Sequence, residues 1–330
     1  MAATLRDVAR LAGVSAKTVS NVVNGYPHVS DGVRRRVLGA IERLDYRPNL
    51  AARHLRTGRT GVLALVLAGV PCPDELAHAV LRGAAERGYR VVIEQVVPGR
   101  RAASAPRRGV PADGVLLGAD VVPRELVDAQ VAAGTPLVLL GEGRDGRCDR
   151  VAVDIAGAAR DATDHLVGTG RRRIAAIGAH PRESPSTPRP RTAGYREALG
   201  RAGITAPPGY VRATTHHRRR DGYEAARALL AREDPPDGIF CYSDALAIGA
   251  IRAAADAGLR VPDDVAVIGL GGSEEGRYSR PSLSTVDVDV EVIARTALTR
   301  IATRIASPHV APVDVTAPHT ILPRESAPAG

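Results

Sequence analysis

Within its first sixty residues the chain carries the start and stop signals of three short helices, with little chain between them. In Thr4-Leu5-Arg6-Asp7 a threonine precedes an acid by three residues, the spacing of a capping box. Leu5, Val8, Ala9 and Leu11 then give the following helix one apolar face. Gly13 offers a tight turn, and Ser15 stands where it can cap a second helix ending at Val22 or Val23. Val19, Val22 and Val23 recur at helical spacing and are expected to pack inward, which leaves Ala16, Lys17, Ser20 and Asn21 on the outer face. Ser30 is the expected cap of a third helix, with Val33, Val37, Leu38, Ile41 and Leu44 as its buried stripe and Pro48 as its stop. A helix, a glycine turn and a second helix with a polar outer face make the helix-turn-helix plan, in which the second helix enters the DNA major groove.

The charge distribution agrees. Residues 1–60 hold eleven Lys and Arg against the four acids Asp7, Asp31, Glu42 and Asp45, a balance of +7. The other 270 residues hold 34 against 32, a balance of +2. A cationic headpiece on a nearly neutral body points to a polyanion partner at one end, bound chiefly by phosphate neutralisation. The basic residues are almost all arginine, which discounts any single one, but the one lysine, Lys17, falls inside the second helix. There Lys17 can donate to guanine O6 or N7, Asn21 can pair with adenine edges, and the Ala16 methyl can touch thymine. Thr4, Ser15, Thr18, Ser20 and Asn24 suit phosphate oxygens, which set register without reading sequence. On pattern alone, an ordinary three-helix bundle with a cationic surface remains open.

Domain limits follow from changes of pattern: 1–47 for the helix-turn-helix unit, 48–60 for a hinge and linker, 61–330 for the body. Asn49 to Arg56 is too short to hold a helix by itself in water; a plain basic linker is the other reading. From Gly61 onward apolar runs alternate with amphipathic stretches. VLALVLAGV, RVVIEQVV, DGVLLG, TPLVLLG, RIAAIGA, DGIFCYS and VAVIGLG read as buried strands, with helices such as Glu75–Arg87, Ala156–Val167, Thr192–Ala202, Tyr223–Ala231 and Ala245–Ala257 between them. Strand-helix alternation implies an α/β body with parallel sheets and right-handed crossovers, behind an all-α headpiece.

Other classes of function find little support. Cys72, Cys148 and Cys241 lie far apart without a CxxC pair, so neither a disulfide framework nor a zinc site is expected. Gly269 and Gly271 imitate a dinucleotide fingerprint, but Glu274 occupies the third glycine position. The run His216 to Arg220 reads as an exposed loop. The sequence contains no nucleophile elbow, H-E-x-x-H or P-loop, so neither catalytic residues nor a cofactor is expected. Val62 to Val70, the most apolar run near the start, is nine residues and too short to span a bilayer. With no signal-peptide core at the start, a cytoplasmic, nucleoid-associated protein is expected.

The segments T-L-R-D-V-A-R-L-A-G-V-S, T-V-S-N-V-V-N-G, V-S, Y-R-P-N and A-A-R-H-L-R-T-G-R-T resemble the LacI/GalR family of bacterial transcription factors. The resemblance implies a homodimeric regulator, a repressor above all, on a near-palindromic double-stranded operator, modulated by a small molecule, sugar or other. By position it makes Ala16, Lys17 and Asn21 the base readers, although the family most often has arginine where this chain has Asn21. It places Asn49, Ala52, Arg53, Leu55 and Arg56 in a hinge helix at the minor groove, with Leu55 as a wedge at the central base step. It also gives the body the two-lobed fold of periplasmic sugar-binding proteins, crossed near Gly157, Leu283 and Thr316. Lobe 1 is then about 61–157 and 284–316, and lobe 2 about 158–283 and 317–330.

For the effector the resemblance points to Arg191 and Asp244, with Ser243 standing where the family has an asparagine; Tyr242 is a candidate stacking surface, and Glu274 or Glu275 a candidate replacement for a carboxylate the family has and this chain lacks. Arg191 as a surface arginine, and Ser243 or Asp244 as a helix cap, stand as alternatives. The sequence departs from the family in several places. Gly269-Leu270-Gly271-Gly272 lacks the acidic pair common after that strand, and the first lobe lacks an aromatic pair near Pro71–Asp74. Residues 98–112 are Pro/Arg-rich where a helix is usual, so that helix is expected to be short or lost. Stacking surfaces reduce to Tyr195, Phe240, Tyr242 and Tyr278. The rival reading is a two-lobed sugar-binding or sensor protein without operator-specific regulation.

Overall fold

The computed structural model describes residues 3–23, 26–46, 59–68, 74–96, 112–119, 123–184, 186 and 189–329. The chain forms two compact units, 1–61 and 62–330. The expected hinge helix, Asn24, residues 71–73 of the Pro71–Asp74 aromatic position and nearly all of 98–112 lie outside the described residues.

The first unit contains α1 (Leu5–Ala12), α2 (Ala16–Val23) and α3 (Asp31–Arg43). The capping box is formed at α1: the Asp7 amide donates to Thr4 Oγ1 at 3.3 Å, and the Thr4 amide donates to Asp7 Oδ2 at 3.0 Å. The Thr4 hydroxyl, donating to Asp7 Oδ2 at 2.6 Å, and the Thr4 amide together hold the Asp7 carboxyl below its ordinary value. Gly13 closes α1 at φ 65°, a left-handed conformation that suits glycine. Val8, Val19, Val22, Val37, Ala40 and Tyr46 form the small core. Two expected core residues are displaced: Leu11 is 48% and Leu38 51% exposed. Ala12, not Leu11, continues the inner face of α1. Ser30 sits at the N-cap of α3, but its side chain makes no capping hydrogen bond.

The second unit holds two six-stranded sheets. The first contains β1 (Val62–Ala68), β2 (Arg90–Val96), β3 (Gly114–Ala119), β4 (Leu137–Leu140), β5 (Asp149–Val153) and β11 (Asp314–Ala317), in the order β11-β5-β4-β3-β1-β2. All its strand pairs are parallel. The second contains β6 (Ile174–Ala179), β7 (Val211–Ala213), β8 (Gly238–Cys241), β9 (Ala266–Gly271), β10 (Ser284–Asp287) and β12 (Thr320–Leu322), in the order β12-β10-β9-β8-β6-β7. It is parallel except where β12 returns against β10. The helices are α4 (Asp74–Glu86), α5 (Arg124–Ala132), α6 (Ile155–Gly168), α7 (Pro190–Arg201), α8 (Arg219–Leu230), α9 (Asp244–Asp256), α10 (Glu274–Tyr278) and α11 (Val290–Ala306). Ala79, Val80 and Ala84 of α4 and Ile293, Leu298 and Ile301 of α11 share one core with the first sheet, while Leu126 and Val127 of α5 lie in another.

Two differences from the sequence reading have physical causes. RVVIEQVV does form a strand, but β2 is a sheet edge with Val92 and Ile93 partly exposed rather than a buried strand. The second crossing falls after Asp287, not at Leu283, because Ser284 to Asp287 pair with β9 and so stay in the second sheet. The chain then turns at Asp289, φ 39°, whose carboxylate caps α11 through the Val292 amide. The flanking crossings lie between Val153 and Ile174 and between Ala317 and Thr320, since those residues end and begin strands of different sheets. A buried ion cluster ties the first lobe together: Asp149, fully buried, accepts from Arg304 at 2.8 and 2.9 Å, from Arg300 at 3.1 and 3.2 Å, and from the Val313 amide at 2.7 Å. Burial works to raise the Asp149 carboxyl, but the two guanidinium groups outweigh it and hold the value below the ordinary range.

Candidate nucleic-acid interface and ligand cleft

At 100° per residue, Ala16, Lys17, Ser20 and Asn21 fall within an arc of about 140° on α2. Val19 and Val22 of the same helix are buried in the core, so this arc faces away from it. Ala16 and Lys17 are exposed; Ser20 and Asn21 are half-buried. The start of α2 is held by Ser15, whose Oγ accepts the Thr18 amide at 3.1 Å and lies 2.9 Å from Thr18 Oγ1. The Ser15 and Thr4 hydroxyls therefore serve as helix caps, and the first amides of α1 and α2 carry the positive end of each helix dipole. Between α2 and α3, Arg34 donates to the Tyr26 carbonyl at 2.8 Å and braces the connection. The unit can offer one helix face with a lysine, an amide and a methyl group, which is the chemistry that reads base edges.

The second candidate site lies where the parallel strands of both sheets end, the usual place for a ligand in open α/β folds. Glu142 follows β4 in the first lobe, and Arg191 is the second residue of α7 in the second lobe. Arg191 Nη1 lies 3.1 Å from Glu142 Oε1, with the two side chains 24% and 19% exposed. Arg191 Nε is buried without a hydrogen-bond partner. A second link between lobes runs from the Glu274 amide to Glu75 Oε1 at 3.4 Å. Glu183 is held by the amides of His180 and Arg189 at 3.2 and 2.8 Å, which fixes the loop leading into α7.

The other expected effector residues occupy different places. Ser243 is the N-cap of α9, its Oγ accepting the Leu246 amide at 3.4 Å. Asp244 is 4% exposed, and its carboxylate is bound by Thr285 Oγ1 and by the Ser273 amide, each at 2.6 Å. Burial pushes the Asp244 carboxyl above its ordinary value, against the pull of those hydrogen bonds. A Cβ at Gly269 would overlap Asp244 Oδ1, so the first glycine of Gly269-Leu270-Gly271-Gly272 makes room for this carboxylate. Tyr242 is buried, its hydroxyl 2.8 Å from Thr192 Oγ1. Glu274 is exposed at the start of α10.

The sequence reading of the aromatic residues therefore needs correcting. Tyr195, Phe240 and Tyr242 lie in the second-lobe core and give no face to a ligand; the Tyr195 hydroxyl donates to the Ile174 carbonyl at 2.7 Å. Tyr278 is 75% exposed. Glu142 was missed. It sits in the polar stretch GEGRDGR with nothing in its neighbours to mark it, and only the packing of the two lobes brings it to Arg191. His217 contacts the Gly178 carbonyl, while Arg219 and Arg220 pair with Glu275 and Glu224, so the His216–Arg220 run is tied into the second lobe. No group of three or more metal-ligating side chains occurs among the described residues, and no helix among them is long and apolar enough to cross a membrane.

Comparison with known proteins matches both units. Residues 4–49 match the model for bacterial regulatory proteins of the lacI family, and residues 163–327 match a periplasmic binding protein-like domain. Over 317 residues the chain is 32% identical to the ribose operon repressor of Escherichia coli (strain K12), covering 93% of this chain and 94% of that protein. Among solved structures, the transcriptional regulator CelR in complex with cellobiose is 30% identical, with 98% and 99% coverage and a TM-score of 0.69. The lac repressor dimer bound to operator and the anti-inducer ONPF is 25% identical, with complete coverage of both chains and a TM-score of 0.81.

Proposed function

The chain belongs to the LacI family of bacterial regulatory proteins, and on that premise we propose that it is a transcriptional repressor that binds an operator as a dimer under control of a small molecule. The headpiece carries this reading: Ala16, Lys17, Ser20 and Asn21 share one face of α2, clear of the headpiece core. Lys17, Asn21 and Ala16 read base edges, while the hydroxyls of Thr18 and Ser20, the capped ends at Thr4 and Ser15, and Asn24 meet phosphates. Two-fold symmetry makes the operator near-palindromic. Residues 48–60 follow the three helices as a hinge, with Asn49, Ala52, Arg53 and Arg56 at the minor groove and Leu55 wedged into the central step, bending the DNA.

Control passes through the cleft. A ligand seated there, at Arg191 and the ends of the strands, favours one arrangement of the lobes, and the dimer transmits that preference to the two headpieces. The coupling is reciprocal: operator must change ligand affinity by the factor by which ligand changes operator affinity. Relatives include a complex with cellobiose and one with ONPF, so a small polar organic molecule is the class to test. No chemical step is needed for this task, and the protein works in the cytoplasm, where the chromosome is. A sugar sensor without an operator would leave the headpiece without a use.

Retention of duplex DNA tests the reading. The full chain should retain duplex DNA on a gel and residues 62–330 alone should not. Equal retention by residues 62–330 would overturn it.

A further inference from the structure

Helix α2 is held at both ends, and its far end is held through an arginine of α3. At the start, Ser15 caps α2 through the Thr18 amide. At the end, the Tyr26 amide donates to the Asn21 carbonyl at 3.0 Å. A bond that reaches back over the last turn in this way closes a helix and fixes where its final residues stand. The Tyr26 carbonyl in turn accepts Arg34 Nη2 at 2.8 Å. A guanidinium donating to a carbonyl makes a stronger bond than a neutral donor does. The Tyr26 ring is 56% exposed and gives the joint little packing, so its main-chain bonds hold it. Arg34 itself is well anchored, because Val37 and Ala40 of α3 are buried in the headpiece core. Its neighbours differ: Arg35 and Arg36 are exposed, whereas Arg34 is half-buried.

We infer that Arg34 is a positioning residue for sequence recognition: through the main chain of Tyr26 it fixes the end of α2 that carries Asn21, and so sets how sharply Asn21 reads its base. The inference rests on the base-reading role proposed for Asn21. Lys17 lies one turn earlier, beside the Ser15 cap, and is held from the other end of the helix. A hydrogen bond to a base edge weakens steeply when its angle is spoiled. Attraction between a cationic surface and phosphates depends on charge and tolerates such a shift. Loss of the Arg34 bond therefore costs specificity more than affinity. An arginine acting as a phosphate contact would do the reverse, weakening binding to every sequence and lowering the salt dependence.

The test uses the full-length parent with Asn21→Ala, Arg34→Met, Arg34→Lys and Arg35→Met. Each is taken through selection from a randomised duplex pool and titration of selected and scrambled duplexes over a range of salt. Arg34→Met keeps the length of the side chain and removes its donors and charge; Arg35→Met removes an equal charge from the next residue. Arg34→Met should flatten the base preference at the position that Asn21→Ala also flattens. It should lower the ratio of selected to scrambled affinity about threefold to tenfold for each headpiece, and Arg35→Met should not. Arg34→Lys retains a charged donor and should recover most of the ratio. In the absence of DNA, hydrogen exchange in Arg34→Met should quicken at the Tyr26 amide and remain as in the parent in α1.

An unchanged ratio in Arg34→Met, an equal fall in Arg35→Met, no recovery by Arg34→Lys, or exchange that quickens throughout the headpiece would each overturn the inference and leave the operator reading intact. A selected site unchanged by Asn21→Ala would overturn it as well, since Arg34 would then have no base reader to position. A parent that selects no sequence at all would overturn the operator reading itself, and the inference with it.

Discussion

Asp244 was expected from the sequence to meet the effector, and its surroundings predict a different phenotype. Its carboxylate accepts hydrogen bonds from Thr285 Oγ1 and the Ser273 amide, each 2.6 Å long, the first buried and the second partly so. Hydrogen bonds to a charged group contribute about 1.5–3 kcal/mol each, and truncation leaves the Ser273 amide without its acceptor and Thr285 Oγ1 with only the Val286 carbonyl at 3.5 Å. Against this stands the cost of burying the charge, which the raised carboxyl value reports. Asp244→Ala should therefore lose about 2–4 kcal/mol. Asp244→Asn keeps an oxygen for the Ser273 amide and offers N–H to the Thr285 hydroxyl, while the buried charge disappears, so it should stay within about 1 kcal/mol of the parent. In urea unfolding followed by circular dichroism, with slopes of about 1–3 kcal/mol per molar, the alanine variant should unfold about 1 M or more earlier. The sign of the pH dependence is also fixed. A carboxyl raised by folding favours the folded state more as pH falls through its folded value, so the parent should gain on Asp244→Asn in that direction and level off below the unfolded value. An alanine variant as stable as the parent, or an asparagine variant as damaged as alanine, would refute the structural role.

Other consequences can be measured separately. Lys17→Ala should change the preferred base at one position of each half-site with little effect on nonspecific DNA affinity, as read by selection from a randomised duplex pool; an unchanged site removes Lys17 from the reading set. Leu55→Ala should weaken operator binding more than nonspecific binding, and equal losses in anisotropy titrations would rule out the wedge. Asp149→Ala leaves Arg304 and Arg300 without their shared carboxylate and should cost about 3–5 kcal/mol at neutral pH. Because folding lowers the Asp149 carboxyl, that stabilisation is present above the ordinary carboxylate range and is lost as pH falls through the lowered value. The gap between parent and variant should close in acid denaturation series, and a gap independent of pH would refute the ion cluster.

How much was legible depends on whether the signal was local. The capping box at Thr4, the turn at Gly13 and the long apolar runs of β1, β3, β6 and β9 are written in a few consecutive residues, and the structure has them in place. The short strands β5, β7, β10, β11 and β12 contain polar residues and gain their identity from pairing, which sequence periodicity does not show. β10 is the instructive case: Ser-Thr-Val-Asp has no continuous apolar run, so the crossing into α11 was placed before it instead of after it. The site divides in the same way. The arc on α2 follows from helical spacing alone, whereas the Arg191–Glu142 contact joins residues 49 positions apart in different lobes. Asp244 and Tyr242 showed the right chemistry in sequence, but burial decides whether such groups face a ligand or a neighbour.

Sequence-specific DNA recognition by a symmetric dimer is the property on which regulation by this protein depends. Selection of duplexes from a randomised pool by the purified full-length protein, at near-physiological salt and with no added ligand, tests it. The expected result is a near-palindrome with half-sites about one helical turn apart and a preferred central step. Recovery of sequence-random DNA whose retention depends only on salt, both alone and with candidate small polar ligands present, would contradict it.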